Sequence, residues 1–372
     1  MNFLIITHAE HYQKADKYLA YAPYVREMNI WSKHVYKIEI LAPISKDYDE
    51  KINLVYKHSH IRFTEVPVIS LLGFKAIILT LLKTPIIIWR MFMAMKRADH
   101  IHLRCPGNLG LLGCLLQIFF PAKPKTAKYA GNWDPNAKQP WSYNLQKWIL
   151  NNTFLTKNMT TLVYGNWPNL SKNSKHFFTA TYYKSEIEEL YIRNYTKTLH
   201  FCFIGTLSQG KQPNKAINLV NQFRENGIDA VLHIYGDGEM KTQIQNQIKS
   251  LNAENWAFMY GNQPKAQIKK ALKYSHFSIL LSKSEGWPKA VAEAMFWGCI
   301  PISSKVSCLN WMLNNGNRGF LLSLEPRQKE IRNLINELNH SKRLEQMSRK
   351  AYLWSTQYTL DKFKDEISTL IN

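Results

Sequence analysis

Glu285 and Glu293 bracket the run Glu285-Gly286-Trp287-Pro288-Lys289-Ala290-Val291-Ala292-Glu293, whose residue types suit a phosphorylated sugar. Carboxylates accept hydrogen bonds from hydroxyls. Gly286 lets the backbone approach a ligand closely. Pro288 suits the first position of a helix, where its missing N–H costs nothing. A helix that starts there directs N–H groups and a partial positive charge outward, which favours a diphosphate. At about 1.5 Å per residue, Glu293 lies roughly 8 Å deeper along that helix. One carboxylate then holds a sugar and the other a ribose across a pyrophosphate. The plain alternative is a solvated charge at each position. For Glu293 the flanking Val291, Ala292, Ala294 and Met295 argue for an inward direction. A buried carboxylate needs a ligand hydroxyl or a fixed hydrogen bond.

Lys211 supplies a third candidate. It closes the segment Gly205-Thr206-Leu207-Ser208-Gln209-Gly210-Lys211 after an apolar run. A lysine there is a point charge for phosphate; the alternative is one more surface lysine. Gly236 opens the turn Gly236-Asp237-Gly238 after the next apolar run.

These residues need elements that bring them together. The pattern predicts strands over 199–204, 230–235, 256–260, 277–281 and 300–303, with helices over 214–226, 239–251, 265–274 and 288–297. Gly227 is expected to cap the first of these helices. Strands alternating with helices in this way imply βαβ units and a parallel sheet. The first half repeats the pattern. Strands are expected over 3–6, 38–42, 61–66, 100–103, 126–130 and 161–164, and helices over 71–96, 108–119 and 141–151. The expected fold is therefore α/β, with two doubly wound Rossmann-like domains facing across a ligand cleft. The first spans residues 1–185 and the second 186–355. A polar hinge falls at 183–197, and a C-terminal helix over 356–372 packs back toward the first domain. Everything from 326 onward reads as helical.

The second half resembles the retaining glycosyltransferases of the GT-B fold, family GT4. The resemblance rests on Glu285 and Glu293 as E-x7-E, on Ala294-Met295, and on the turn Gly298-Cys299-Ile300-Pro301. It extends to the segment 204–211, to Ile234-Tyr235-Gly236-Asp237-Gly238, and to the loop 315–322. It implies transfer of a hexose from a nucleoside diphosphate sugar with retention and without a dedicated metal or other cofactor. Lys211 then takes the phosphate, Glu285 the sugar hydroxyls and Glu293 the ribose. Gly205, Thr206, Gly236, Gly286, Trp287, Pro288 and Lys289 complete the donor side. Thr206 stands where the family has an arginine, and Lys289 is the candidate replacement. Gln212 stands where the family has a glycine.

In the first half, Asp99-His100-Ile101-His102-Leu103-Arg104 resembles a family segment that carries a histidine near the acceptor. His102 and Arg104 are expected on the acceptor side of the cleft, with Asn132 and Asp134 after the next strand completing that wall. Thr7-His8-Ala9-Glu10 lacks the glycine-rich loop of many relatives. Asp47-Tyr48-Asp49 has the spacing of a metal-binding D-x-D but reads as a solvated charge cluster. Gly107, Gly110 and Gly113 are spaced for helix packing rather than for a dinucleotide.

Composition sets the partners. The 372 residues carry a net charge of +21. Residues 66–184 alone hold 15 Lys/Arg against 2 Asp/Glu. Such a balance points to anionic partners rather than to a fold. An anionic membrane surface is the expected one, with a saccharide or lipid-linked saccharide as acceptor and polysaccharide synthesis as context. The apolar stretch 68–95 is broken by Lys75, Lys83 and Arg90, so surface contact is expected rather than a span. Lys75, Lys83, Lys96 and Arg97 are the candidate lipid contacts. Five cysteines without a C-x-x-C pair suit a reducing cytoplasm, with attachment at the inner face of the membrane. Two rivals remain: a sugar-nucleotide epimerase or phosphorylase on the same fold, and a nucleic-acid-binding protein. The second lacks aromatic-basic or helix-turn-helix signatures, so no nucleic-acid partner is expected.

Overall fold

The computed structural model describes residues 1–45, 52–69 and 73–371. Asp47 and Asp49, and the side chain of Lys75, lie outside what is described. The chain divides into two units, Met1–Phe177 with Lys364–Asn372, and Phe178–Phe363.

The first unit opens with β1 (Asn2–Ile6), β2 (His11–Lys14), β3 (Lys17–Tyr21), α1 (Ala22–Trp31), β4 (Lys37–Ala42), β5 (Asn53–Val55) and β6 (Ile61–Glu65). There follow α2 (Phe74–Arg97), β7 (His100–Cys105), α3 (Asn108–Leu116), β8 (Lys125–Tyr129), α4 (Trp141–Leu150), β9 (Met159–Tyr164) and β10 (Ser174–Phe177). Among the described residues, seven strands form a parallel sheet in the order β10-β9-β8-β7-β1-β4-β6. Phe3, Leu4, Ile5 and Ile6 are all buried, as a central parallel strand covered on both faces requires. The strand order reverses between β1 and β7. A small antiparallel sheet, β2-β3-β5, lies outside the sequence expectation, and so does α1.

The helix expected over 71–96 is present as α2, continuous through Lys83, Pro85 and Arg90. Its part Ile78–Arg97 is long and apolar enough to cross a membrane by length and composition. However, Ile87, Met91, Ala94 and Met95 are packed in the core of the first unit. A second departure concerns charge inside this unit. Glu39 is buried and takes Arg97 at 2.6 Å, and Lys128 pairs with the buried Glu27. Arg97 is therefore committed to an internal ion pair, which removes it from the expected lipid contacts. Breaking such a pair from one side costs about 3–5 kcal/mol.

The second unit contains β11 (Leu199–Ile204), α5 (Pro213–Glu225), β12 (Ala230–Tyr235), α6 (Lys241–Ser250), β13 (Ala257–Gly261), α7 (Lys265–Tyr274) and β14 (Phe277–Leu280). It continues with α8 (Lys289–Phe296), β15 (Ile300–Ser304), α9 (Leu309–Met312), β16 (Phe320–Leu322), α10 (Gln328–Leu338) and α11 (Ser341–Ser355). The last helix, α12 (Leu360–Ile371), runs across the division between the units. The sheet is parallel, in the order β13-β12-β11-β14-β15-β16, and reverses between β11 and β14. Gly227 closes α5 as expected. It donates to Arg224 O, and Ile228 donates to Phe223 O, both at 3.0 Å. This is the paired bonding of a glycine C-terminal cap.

Residues 183–197 are not a free hinge. Arg193 is buried and donates to Leu272 O, Lys273 O, Trp297 O and Gly298 O at 2.7–3.1 Å. These carbonyls end α7 and α8, where a cation is favoured. The polar stretch is thus bolted onto the second unit.

Candidate functional site

The site grows from the switch point of the second sheet. Loops leaving β11 and β14 diverge there to opposite sides, which opens a crevice at the strands' carboxyl ends. Lys211 comes from the first loop and Glu285 from the second. Lys211 Nζ donates to Glu285 Oε1 at 2.5 Å. Glu285 is buried, while the lysine side chain is about one-third exposed. The carboxylate is therefore held by a cation that a competing anion can reach.

Backbone contacts fix these loops. Lys283 N donates to Gly210 O at 2.9 Å, which ties the β14 loop to the β11 loop. Gly205 N donates to Tyr235 O, and Leu207 N to Asp237 O, both at 3.0 Å. Gly236 has φ +136°, and a Cβ there would lie 1.8 Å from Gly205 O. Only glycine fits, because backbone meets backbone. Thr206 is exposed beside this contact. Gln212 has φ 51°, the left-handed region that glycine occupies at least cost, although a glutamine holds it here. Its buried Oε1 has no partner.

Glu293 is positioned separately. It lies on α8, where its Oε1 accepts from Thr181 Oγ1 at 2.6 Å. Burial, and secondarily the Glu293 carboxylate, pushes the Tyr182 phenol up. Pro288 is the N-cap of α8 rather than its first helical residue, and its carbonyl accepts from Val291 N and Ala292 N. Lys289 begins the helix and is half-buried, and it lines a small cleft with Glu293, Thr179 and Thr181. Gly286 is held from behind, since its carbonyl accepts from Ser307 Oγ at 3.3 Å and Cys308 Sγ at 3.4 Å. Burial pushes the Cys308 thiol up to about 12, so it stays a donor.

Trp287 lines the same small cleft from within an aromatic cluster. It is buried, with ring centroids of Tyr358 at 5.5 Å, Trp311 at 6.2 Å and both Phe178 and Trp354 at 6.3 Å. The geometry makes it an aromatic anchor beneath the Gly286 loop. Thr181, Ser307 and Cys308 were not foreseen. Nothing in their local sequence marks them, because their partners lie 112, 21 and 22 residues away.

The first unit has its own switch point, between β1 and β7. Arg104 lies there with its guanidinium 4.4 Å from the Tyr24 ring centroid. His11 is buried nearby, bonded to Ala9 O and to Tyr56 Oη, each at 2.8 Å. Burial, with Arg104 adding to the shift, lowers His11 to about 4. His102 is not a wall residue as expected. It is buried against Trp31 at 4.6 Å between centroids, and its Nδ1 meets Thr126 Oγ1 at 2.8 Å. Strand alternation puts it on one face with His100, which bonds the same hydroxyl at 3.0 Å. Asn132 and Asp134 build the loop after β8. Asn132 Oδ1 accepts from Asp134 N, and Asp134 Oδ1 accepts from Asn136 N, each at 2.9 Å.

With this geometry in place, the chain can be set beside known proteins. Residues 187–354 match the family described as Glycosyl transferases group 1. The uncharacterized glycosyltransferase MJ1059 of Methanocaldococcus jannaschii is 32% identical over 109 residues, which is 29% of this chain and 26% of that protein. A UDP-Gal:alpha-D-GlcNAc-diphosphoundecaprenol alpha-1,3-galactosyltransferase of Escherichia coli is 27% identical over 164 residues, or 43% of this chain and 41% of that protein. The chain thus matches well under half the length of either relative. The crystal structure of Anabaena Alr3699/HepE in complex with UDP and glucose has a TM-score of 0.69 at 13% identity, over 99% of this chain and 98% of that one. At that identity the likeness shows the fold, which is GT-B. The resemblance to group 1 glycosyltransferases thus lies in residues 187–354 of the second unit, on a chain whose fold is GT-B.

Proposed function

We propose that the chain transfers a hexose from a UDP-sugar to a hydroxyl of a saccharide or lipid-linked saccharide, with retention of configuration. The observation that carries this is the 2.5 Å Lys211–Glu285 pair at the second sheet's switch point. The names of the similar proteins support the donor class, since one is a UDP-Gal-dependent galactosyltransferase and another was solved with UDP and glucose. In the proposed complex the donor diphosphate takes Lys211 from Glu285, and the freed carboxylate accepts the sugar's hydroxyls. Glu293 holds the ribose, with Thr181 fixing its second oxygen. The start of α8 and Lys289 add positive potential toward the diphosphate, in place of the arginine replaced by Thr206.

The bond from the anomeric carbon to the phosphate oxygen breaks as the acceptor oxygen bonds that carbon from the same face. The leaving phosphate takes the acceptor proton, so no enzymic nucleophile is needed. Retention rests on the E-x7-E resemblance. Lys211 and the helix start meet the growing phosphate charge, so transfer is expected to persist in EDTA.

The test is transfer from UDP-sugars by the full chain. Glu285→Ala and Glu293→Ala should each lower kcat by about 10²–10³-fold, the usual cost of losing one preorganised charge-stabilising group. Glu293→Gln should recover part of the loss. Near-wild-type turnover in either alanine variant, or an inverted product by NMR, would overturn the assignment.

We further propose that α2 docks on the anionic inner face of a membrane. Leu82 and Trp89 are 73% and 63% exposed, with Leu79 and Ile86 exposed at matching helical spacing and Lys83 and Lys96 exposed alongside. Apolar contact supplies a salt-resistant term and each lysine about 1 kcal/mol more. Co-sedimentation with phosphatidylglycerol vesicles should fall for Lys83→Gln/Lys96→Gln and for Trp89→Ser. Equal binding to neutral and anionic vesicles would sink the electrostatic part.

A further inference from the structure

A cavity of about 740 Å³ lies in the first unit, formed by the loops after β8 and β9 and one flank of α4. It opens at the carboxyl ends of parallel strands, where such sheets take ligands. Its volume falls among ordinary small-molecule sites. Three tryptophans line it, Trp133, Trp148 and Trp167. Trp148 is 60% exposed. Trp167 is half-buried and fixed by its Nε1, which donates to Tyr164 O at 2.7 Å.

Asparagines fill much of the remaining wall. The side chains of Asn136 and Asn169 make no hydrogen bond among the described residues, and Asn144 makes only a long one, 3.5 Å, to Gln139 O. Amides of this kind donate and accept at once, which matches a hydroxyl that does both. Flat indole faces match the C–H faces of pyranose rings, as apolar area with a fixed geometry. One lysine, Lys147, lines the cavity, and its Nζ donates to Asp134 O at 3.3 Å. A nucleic-acid groove needs a track of cations for successive phosphates. A single lysine beside an aspartate gives none.

We propose that this cavity binds a saccharide chain, with sugar rings stacked on Trp148 and Trp167 and their hydroxyls bonded to Asn136, Asn144 and Asn169. It rests on the transferase reading only in that this chain is then the acceptor's. The cavity seats an uncharged sugar chain, whereas the reacting end of the acceptor is a separate matter.

The experiment uses the full chain on an array of oligosaccharides of hexoses, N-acetylhexosamines and deoxyhexoses, followed by calorimetric titration of the best binder. Trp148→Ala should weaken that binding about tenfold, which is the scale of one lost stacking contact. Asn144→Ala, an exposed position, should weaken it severalfold without a change in Tm. Capture of no array glycan overturns the inference, as does binding that neither variant weakens. Salt-sensitive quenching of Trp148 by oligothymidylate, with no glycan bound, would make the cavity a nucleic-acid site. The thermal shift of the wild-type chain with UDP reads the donor site independently. A chain that binds UDP but no saccharide overturns only this inference, and one that binds saccharide but not UDP overturns the donor reading.

Discussion

Each sheet reverses its strand order at one place, and the two switch points are built from different material. In the second unit the loops meet backbone to backbone, with Gly236 against Gly205 O and one ion pair, Lys211–Glu285, across the crevice. In the first unit side chains fill the corresponding place. Tyr24 lies under Arg104, and His11 bonds Tyr56 behind them. Under the proposed function the contrast has a chemical reading. A diphosphate is the same in every nucleotide sugar and is met by charge and close backbone. An acceptor differs from enzyme to enzyme and is met by side-chain shape.

Acid should separate the two units most strongly. Burial lowers His11 and His100 in the first unit to about 4, and lowers His102 well below its ordinary value. In the second unit burial lowers His233 and His276 to about 4 as well and lowers His200, but none of these is as deeply buried as His11, His100 and His102. Each is more basic in the unfolded chain, at about 6.5. Below that pH the unfolded state binds more protons, so stability is present near neutrality and is lost as pH falls from about 6.5 toward 4. Each deeply buried histidine of the first unit costs on the order of 2 kcal/mol at pH 5. Hydrogen exchange at pH 7 and pH 5 should show β1 and β7 losing protection before β11. Uniform loss, or none, would break the comparison.

Gly236→Ala should damage the second unit next most. The added Cβ meets a carbonyl that cannot swing aside, at 1.8 Å, on a backbone of φ +136°. A loss of about 3 kcal/mol is expected, together with the UDP-induced thermal shift. Retained UDP binding would mean that the loop contact does not shape the donor crevice. Gln212→Gly should act in the opposite sense. It relieves a left-handed glutamine and removes a buried Oε1 without a partner, and should stabilise the chain by about 1 kcal/mol. An unchanged or lower Tm would show that the Gln212 side chain packs usefully.

The second unit was the more legible in the sequence because its strands are short apolar runs punctuated by glycine and proline. The expected spans 199–204, 230–235 and 265–274 coincide with β11, β12 and α7. The small sheet of β2, β3 and β5 was missed because its strands are only three to five residues long, too short to show a period, and β2 is polar. Helix α1 was missed for another reason, since it starts without a side-chain cap and buries Glu27 and Asn29. Sequence order also misled around the site. Gly286 and Trp287 are neighbours, yet one meets the loop opening and the other the aromatic cluster below it. His102 reads as a strand-end histidine but spends both its faces on Trp31 and Phe3. Residues 183–197 look like a linker by composition. The four carbonyls that capture Arg193 are 79 to 105 residues away in the chain.

That capture bears on where the protein can be cut. A cassette trimmed to begin at β11 would discard Arg193 and strip the ends of α7 and α8 of their shared clasp. The natural seams are elsewhere. Leu360 N donates to Tyr182 O at 2.8 Å, Lys184 N to Asp361 Oδ2 at 2.6 Å, and the rings of Phe178 and Phe363 meet at 6.0 Å. Entry and exit of the second unit are stitched to each other, so its two loose ends leave through one doorway. Under the proposed function, a portable donor-binding module should therefore run from 178 through α12, and circularly permuted forms of it should join its ends through a short linker.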